Sequence, residues 1–290
     1  AVPGPTGEGC VSGGRRQVRI DGKPQRGQGA LAARLGLVWL TPAMDRLFLD
    51  GAGARRRFLD RLAFGHDPGH ADRLAQYERS LGERARLLRK RGRDGTWLAA
   101  LEAQMARHGV ALAASRLDVA ERLDGALARA DGPFPSARVR AQGTLEAWLG
   151  QAPAVVVEER FAARLAANRA RDAEIGGAAE GPQRSDFAVH DRATGRAAPK
   201  CSTGEQKALL VAIVLADAGL VAQGPRGAPI LLLDDVAAHL DDDRRRALFD
   251  ALDALGGQAW LSGTDRASFA GLEGRARFLA VGPDGLAEAG

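Results

Sequence analysis

Cysteine, lysine and long apolar stretches are scarce in this 290-residue sequence. Its two cysteines, Cys10 and Cys201, lie far apart and form no C-x-x-C pair, which argues against a disulfide framework or a cysteine zinc motif and indicates a reducing compartment. No apolar run is long enough to span a membrane, and the first ten residues, "AVPGPTGEGC", lack the basic and apolar regions of a signal peptide. We therefore expect a cytoplasmic protein without a membrane partner.

The charge of the chain comes mainly from arginine. Only four of the 41 basic residues are lysine, and 36 acidic residues leave a formal net charge of +5. A basic balance favours a polyanionic partner such as nucleic acid, but an arginine excess beside many alanines and glycines also fits a genome-wide bias in composition. Apolar residues make up 45% of the chain, enough for a sizeable core in one large or two moderate domains.

Residues 72–130 have the apolar period of long helices. Leu74, Tyr77 and Leu81 recur at intervals of three and four residues, and the pattern continues to residue 130 with an expected interruption near Gly109. This pattern predicts an antiparallel helical hairpin. After it, "SARVRAQG" and "APAVVVEE" are predicted strands, and residues 161–175 a predicted helix.

Strands and helices alternate from residue 186 onward. "DFAVHD" predicts a strand, "GEQKALLVAIVLADAGLV" a buried helix, and "PILLLDDV" a central parallel strand covered on both faces. A helix in "DDDRRRALFDALDAL" and strands in "QAWLSGT" and "RFLAVGPDGLAEA" follow. Near the other end, "RRQVRIDGKP" predicts a strand that runs into an Asp-Gly turn, and "LGLVWLTP" is a short apolar run. The order predicts an α/β fold with the long helices inserted into it.

Two adjacent carboxylates, Asp234 and Asp235, end the apolar run "ILLL". Ligands bind at the carboxyl ends of parallel strands, and paired carboxylates there need a cation or strong donors to offset their desolvation. A Mg²⁺ ion held by Asp234 and a water molecule oriented by Asp235 would account for both. The alternative is that both residues cap the next turn and face solvent.

The stretch "STGEQ" supports two interpretations. Ser202 and Glu205 have the S-x-x-E spacing of a capping box, which would only open a helix. The same stretch also places small polar residues at a helix amino terminus, where a phosphate binds favourably: Ser202, Thr203, Gly204 and Gln206. The sequence at this point allows both interpretations, a helix cap or half of a nucleotide site.

The serial order of these motifs is more specific than any one of them. "STGEQ", a buried helix, the Asp234–Asp235 pair, "HLDDDRR" and "LSGTD" follow one another. This order resembles the signature, Walker B and D-loop of ABC/SMC-type ATPases. Within that group the chain resembles the RecF family over nearly its whole length, through "VWLTPAMDRLFLDGAGARRRFLD", "YERSLGERARLLRKR", "GPQRSDF", "STGEQKALL", "ILLLDDVAAHLD" and "LSGTD".

The resemblance implies an ABC-type ATPase head, residues 1–62 and 182–290, and an inserted helical arm, residues 63–181. It implies ATP and Mg²⁺ as cofactors, weak ATPase activity and a homodimer with ATP sandwiched between the subunits. It further implies binding to gapped DNA, with RecR and RecO as partners that help RecA to load during repair. An ABC transporter subunit is disfavoured by the arm insertion.

The resemblance also assigns roles to individual residues. Asp234 would hold Mg²⁺, and Asp235 would be the base that orients water. Asp241 would lie in the D-loop, and Thr264 near the γ-phosphate sensor position. The signature that contacts the γ-phosphate of the other subunit's ATP would be formed by Ser202, Thr203, Gly204 and Gln206.

The chain departs from the family pattern in its phosphate loop. It contains no G-x-x-x-x-G-K-[ST] motif, and its only Gly-Lys pair, Gly22-Lys23, is followed by Pro24. This loop supplies the N–H cradle and the lysine that hold phosphate, and in the family it precedes the part matched here. Because the chain also starts without Met, the sequence predicts a polypeptide that lacks its first strand, P-loop and following helix, and that binds ATP poorly by itself.

The missing loop supports an alternative from another class, a non-hydrolysing SMC-like scaffold that holds DNA or RecR without nucleotide. Smaller departures are Gln183 and Ser185, where the family pattern leads us to expect His and Asp.

Two basic clusters could contact DNA phosphates. One is Arg55, Arg56 and Arg57. The other consists of Arg84, Arg86, Arg89, Lys90, Arg91 and Arg93. A solvated helix face explains each cluster at least equally well.

Overall fold

The computed structural model of the chain describes residues 18–25, 31, 34–89, 95–283 and 285–288. The described helices are α1 (Ala52–His66), α2 (His70–Arg89), α3 (Gly95–Arg129), α4 (Thr144–Leu149), α5 (Ala154–Ala167), α6 (Arg169–Ile175), α7 (Thr203–Ala222) and α8 (Asp242–Leu255). The described strands are β1 (Val18–Ile20), β2 (Lys23–Gln25), β3 (Leu37–Leu40), β4 (Ala137–Gln142), β5 (Asp186–Asp191), β6 (Ile230–Asp234), β7 (Ala259–Ser262), β8 (Leu279–Gly282) and β9 (Gly285–Glu288). Helices and strands in this order confirm the predicted α/β class.

A three-stranded parallel sheet with the order β3-β6-β7 forms the centre of the fold. In it β6 pairs with β3 on one side and with β7 on the other, which confirms the central parallel strand predicted from "PILLLDDV". Leu231 and Leu233 point to one face and join a core that also contains residues of α7 and α8. Because all three strands run the same way, their carboxyl ends meet at one edge of the sheet.

The other face of this sheet carries exposed apolar side chains within the described part of the chain. Leu232 and Trp260 are directly opposite each other in register, and they are 40% and 52% exposed. Trp39 lies in the same row, on the other side of Leu232. The prediction that "PILLLDDV" is covered on both faces is therefore wrong for these residues, because the core that contains α7 packs against the side of Leu231 and Leu233.

A second sheet pairs β4 with β5 in antiparallel register. Both strands are confirmed, but β5 joins β4 rather than the parallel sheet. Val139, Phe187 and Val189 enter the same core as α7, whereas Arg138 and Arg140 on the alternating positions are exposed. The alternation of apolar and charged residues thus produces a strand buried on one face.

Helices α2 and α3 form the predicted antiparallel pair, but α3 is not interrupted at Gly109. A Cβ atom at this position would lie 3.1 Å from ring atoms of both Tyr77 and Phe161. The glycine therefore permits a close approach of these two rings to the helix backbone, and it does not end the helix.

The segment "APAVVVEE" begins a helix, so the strand predicted for it is wrong. Pro153 occupies the amino-terminal cap position of α5, where the helix requires no N–H group and the lack of one in proline therefore costs no helical hydrogen bond. Val157, Phe161 and Leu165 then recur every four residues and are buried. This helical period extends beyond the valine run, and packing of its apolar face overrides the local strand propensity of valine.

Two apolar cores meet along α3. Its first half contributes Met105 and Val110 to a core that also includes Tyr77 and Phe161. Its second half, from Val119 to Leu127, belongs to the core of the parallel sheet. One continuous helix therefore connects the helical region with the α/β region.

Arg84 lies at the centre of a buried ion network between helices. Its side chain is 1% exposed and donates to Glu102 at 2.9 Å, to Asp172 at 2.8 Å and to the carbonyl of Leu165 at 2.6 Å. Arg169 also donates to Glu102. The proposal that Arg84 belongs to a DNA-contacting cluster is therefore wrong, because every donor group of its guanidinium faces the protein interior. Lys90, Arg91 and Arg93 of that cluster lie outside the described residues.

A second polar network joins α1, α2 and α3. Asp60 accepts hydrogen bonds from Arg116 at 2.8 and 2.9 Å, and its Oδ1 lies 2.9 Å from His70 Nε2. Arg116 also donates to the carbonyl of Pro182 at 2.6 Å. Burial acts to raise the pKa of Asp60, but the hydrogen bonds from His70 and Arg116 outweigh it and hold that pKa below its usual value. The ionised carboxylate therefore links three helices to the turn before β5.

We expect Arg84→Met to destabilise the protein by about 3 to 5 kcal/mol, because it leaves the buried Asp172 carboxylate without its cation and leaves Glu102 with Arg169 alone. The measurement is the free energy of unfolding in urea. Arg86→Met is the matched control, since Arg86 is exposed on the same helix, and it should change stability by less than about 0.5 kcal/mol. Equal effects of the two substitutions would contradict the assigned network.

Alanine at two helical glycines should change stability in opposite directions. Gly82→Ala on α2 adds a Cβ atom that meets nothing within 4 Å, so we expect a gain of up to about 1 kcal/mol from helix propensity. Gly109→Ala places a Cβ atom against two rings, and we expect a net loss despite the same propensity gain. Thermal unfolding of both variants checks the pair, and a gain at Gly109 would refute the packing role.

Candidate functional site

The stretch "STGEQ" forms a complete capping box at the start of α7. Ser202 Oγ accepts from the N–H of Glu205 at 3.3 Å, and the Glu205 carboxylate accepts from the N–H of Ser202 at 2.7 Å. The hydrogen bond from the Ser202 N–H, and next the interaction with the Ser202 side chain, hold the pKa of Glu205 below its usual value. The carboxylate therefore stays charged near the positive end of the helix dipole, which favours this arrangement.

The cap leaves an exposed polar surface around it. Ser202, Thr203 and Gly204 are exposed, and helix geometry provides no intrahelical partner for the N–H groups of Thr203 and Gly204. Gln206 differs, since its side chain is 4% exposed and donates to the carbonyl of Cys201 at 2.8 Å. Three of the four predicted signature residues thus face solvent, and the fourth points into the protein.

Asp234 and Asp235 lie at the carboxyl edge of the parallel sheet, as their position after "ILLL" predicted. Asp234 is the last residue of β6 and is exposed, and its Oδ1 accepts from Ser262 Oγ at 2.5 Å. Asp235 follows with a left-handed backbone, φ 52°, and its N–H donates to the carbonyl of Ser262 at 3.1 Å. This conformation is uncommon for a residue with a side chain, although less so for aspartate, and strained positions of this kind cluster at functional sites.

The oxygen donors at this edge suit a magnesium ion. Mg²⁺ in nucleotide sites is held by one or two protein oxygens, with phosphate and water completing its shell. Asp234 supplies an exposed carboxylate, and the Ser262 hydroxyl lies beside it. Within the described residues no group of three or more His, Cys, Asp or Glu side chains could hold a metal ion by itself.

Lys207 is a residue of this region that the sequence motifs did not single out. It lies one turn into α7, is 6% exposed, and donates to the carbonyl of Asp235 at 3.1 Å. Its ammonium group also pairs with Asp45 Oδ2 at 3.4 Å. The available signal was a lysine directly after "STGEQ" in an otherwise apolar helix. Ser262, within "LSGTD", is a second such residue, since its hydroxyl donates to Asp234.

The remaining predicted site residues lie in surface loops. Thr264 is exposed and follows the end of β7 by two positions. Asp241 caps the amino terminus of α8 by accepting from the N–H of Arg244 at 2.9 Å, and it also pairs with the Arg244 guanidinium. Asp241 therefore has a structural task, and the D-loop and sensor roles of the two residues stay predictions.

The arginine triplet on α1 is largely engaged within the protein. Arg55 forms two hydrogen bonds of 2.8 Å with the Asp186 carboxylate, and Arg56 donates to the carbonyl of Ser185 at 2.8 Å. Burial acts to raise the pKa of Asp186, but the hydrogen bond from Arg55 outweighs it and keeps that pKa low. Of the triplet, Arg57 is the residue whose side chain remains exposed.

The two departures in "GPQRSDF" also have internal partners. Gln183 accepts from the hydroxyl of Tyr77 at 2.5 Å and donates to the carbonyls of Ala178 and Glu180. Ser185 donates to Glu146 at 2.6 Å. Both residues therefore stabilise the joint between the helical region and β5.

Comparison with known proteins gives consistent relatives. The chain is 50% identical over 277 residues to the DNA replication and repair protein RecF of Mesorhizobium japonicum, covering 95% of this chain and 72% of the relative. It is 46% identical over 276 residues to that of Rhizobium meliloti, covering 94% and 74%. No family model matches the sequence. Among the helices of the described part, none is long and apolar enough to cross a membrane.

Solved structures show the same fold. "Structure of the recombination mediator protein RecF-ATPrS in RecFOR pathway" superposes with a TM-score of 0.74 at 20% identity, covering 88% of this chain and 69% of that one. A structure of RecF with ATP gives 0.73 at 21% identity. The identity to curated relatives over more than nine-tenths of the chain, together with this fold, leads to one conclusion: the chain belongs to the RecF family of DNA replication and repair proteins.

Proposed function

We propose that this protein is an ATP-controlled DNA-binding protein of recombinational repair, in which slow hydrolysis switches a homodimer on and off. The observation that carries the proposal is the placement of two sites on one α/β region. The exposed start of α7 is suited to a phosphate, and the Asp234–Asp235 pair at the sheet edge is suited to Mg²⁺ and water. The solved relatives described with ATP and ATPrS support the choice of nucleotide.

In the proposed mechanism each subunit contributes half of a nucleotide site. Asp234 would hold Mg²⁺, which offsets phosphate charge, and the Asp235 carboxylate would orient the attacking water. Ser202, Thr203 and Gly204 of the other subunit would offer hydroxyl and N–H groups to the γ-phosphate. Gln206 would join them only after its side chain turns away from Cys201. Binding across both halves would couple ATP to dimerisation.

The remaining assignments rest on the resemblance to the RecF family. We propose a head of residues 1–62 and 182–290, an arm of residues 63–181, and Thr264 and Asp241 beside the γ-phosphate and the dimer contact. DNA with single-strand gaps is the proposed substrate. RecR and RecO are the proposed protein partners, through which RecA loading is promoted. Arg57 is the arginine of α1 best placed to contact DNA, because its neighbours Arg55 and Arg56 are engaged internally.

We expect Asp235→Asn to trap the dimer in the intact gene product. Asparagine accepts a left-handed backbone readily, so the substitution keeps the local fold and removes the water-orienting carboxylate. Light scattering should detect a dimer with ATP and Mg²⁺ that persists in the variant and decays in the unsubstituted protein. Asp243→Asn, at an exposed acid on α8, is the control. A wild-type protein that stays monomeric with ATP would refute the proposal.

The scaffold without nucleotide is the second candidate, favoured by the absence of a G-x-x-x-x-G-K-[ST] motif from these 290 residues. Equilibrium binding of labelled ATP to the 290-residue chain separates the two for this polypeptide. Tight binding would exclude the scaffold reading, and DNA binding that is independent of ATP in the intact gene product would favour it.

Two substitutions at Ser202 should separate capping from phosphate contact. Aspartate and asparagine cap helices about as well as serine, so the free energy of unfolding of both variants should lie within about 0.5 kcal/mol of that of the unsubstituted protein. Ser202→Asp places a negative charge where we propose the γ-phosphate, and ATP-driven dimerisation should be lost. Ser202→Asn is neutral and should keep it. Dimerisation that survives in Ser202→Asp would reduce this residue to a cap.

A further inference from the structure

Lys207 is an unusual residue for its position. It lies in the buried part of α7, between residues of the apolar core, and only 6% of it is exposed. A buried ammonium group is unfavourable unless it is paired and hydrogen-bonded, so its partners indicate what it is there to hold.

The two partners of Lys207 come from the carboxyl edge of the sheet. Asp45 lies in the 3-10 turn Pro42–Arg46 that follows β3, and the Asp235 carbonyl follows β6 directly. The second interaction is with the backbone carbonyl of Asp235, the first residue after β6. Lys207 therefore ties the start of α7 to the ends of two parallel strands.

The backbone that Lys207 contacts is the one in a left-handed conformation. Asp235 has φ 52°, and with Asp21 it is one of two residues other than glycine with positive φ in the described chain. This conformation costs free energy for a residue with a side chain, less for aspartate than for most, and neighbouring contacts can hold it in place. Here the Asp235 N–H is held by the carbonyl of Ser262 at 3.1 Å, and its carbonyl is held by Lys207 at 3.1 Å.

We propose that Lys207 is a positioning residue for Asp235: its ammonium group holds the Asp235 carbonyl and thereby fixes the left-handed backbone from which the Asp235 carboxylate projects. The holding role is independent of the proposed function, whereas its effect on hydrolysis rests on it.

A different role for Lys207 would be to neutralise Asp45 and fill the core, with no specific effect on Asp235. The two roles predict different dependence on the residue at position 235. Glycine adopts a φ near 50° without strain, so in an Asp235→Gly background the holding contact is no longer needed. Loss of a neutralising or space-filling lysine would have the same effect in either background.

Hydrogen exchange of the 290-residue chain, followed by mass spectrometry of peptides covering residues 231–240, tests the proposal. Lys207→Met should accelerate exchange there by about tenfold or more, with peptides from residues 101–112 unchanged. In the Asp235→Gly background the same substitution should accelerate exchange less than about threefold. Lys200→Met, at an exposed lysine just before α7, is the matched control and should leave residues 231–240 unchanged.

The results that would overturn the proposal are equally specific. Unchanged exchange in residues 231–240 after Lys207→Met would show that the contact holds nothing. Acceleration that is equal in both backgrounds, or equal in residues 101–112, would assign Lys207 a general structural role.

A second readout connects the contact to hydrolysis. In the intact gene product, Lys207→Met should lower kcat for ATP by about tenfold while ATP-driven dimerisation changes less than about threefold. An equal loss of both would overturn the specific link to Asp235. If the unsubstituted protein does not dimerise with ATP, the proposed function fails, and the exchange experiment still decides the positioning role.

Discussion

The parallel course of β3, β6 and β7 is the constraint on which the rest of this molecule depends. Parallel strands end at one edge of the sheet, and three polar residues lie there: Asp45 after β3, Asp235 after β6 and Ser262 at the end of β7. The apolar helix α7 packs against the sheet and begins close to the same edge, because Lys207 reaches both Asp45 and the Asp235 carbonyl. The candidate site is thus a direct result of strand direction.

Polar networks, in addition to the apolar core that α3 shares with the parallel sheet, join the helical region to β5. Asp60, His70 and Arg116 connect three helices with the turn before β5, and the Arg55–Asp186 pair connects α1 to β5 itself. Directional bonds of this kind specify one relative arrangement of the elements they join. The continuous helix α3, which contributes to both apolar cores, makes the joint stiff along its axis.

Features encoded within a few residues could be predicted from the sequence. The capping box of Ser202 and Glu205, the buried helix α7 and the strand that ends in Asp234 depend on local spacing and periodicity, and the structure has all three. Features that depend on distant partners could not be predicted in this way. The packing role of Gly109 is one of these, because the rings of Tyr77 and Phe161 that approach it are remote in sequence.

The same reason explains the errors at charged and β-branched residues. Arg84 belongs to a run of arginines that indicates a solvated or DNA-binding face, and only its carboxylate partners on α3 and α6 reveal its burial. The contacts of Lys207 could not be predicted either, because its partners follow β3 and β6 and come near it only in the folded sheet. In "APAVVVEE", strand propensity was outweighed by the apolar period of the following residues.

The exposed Leu232 and Trp260 on one face of the parallel sheet have a practical consequence. Such a surface attracts apolar dyes and other copies of the 290-residue chain, so measurements on this polypeptide need a fixed, low protein concentration.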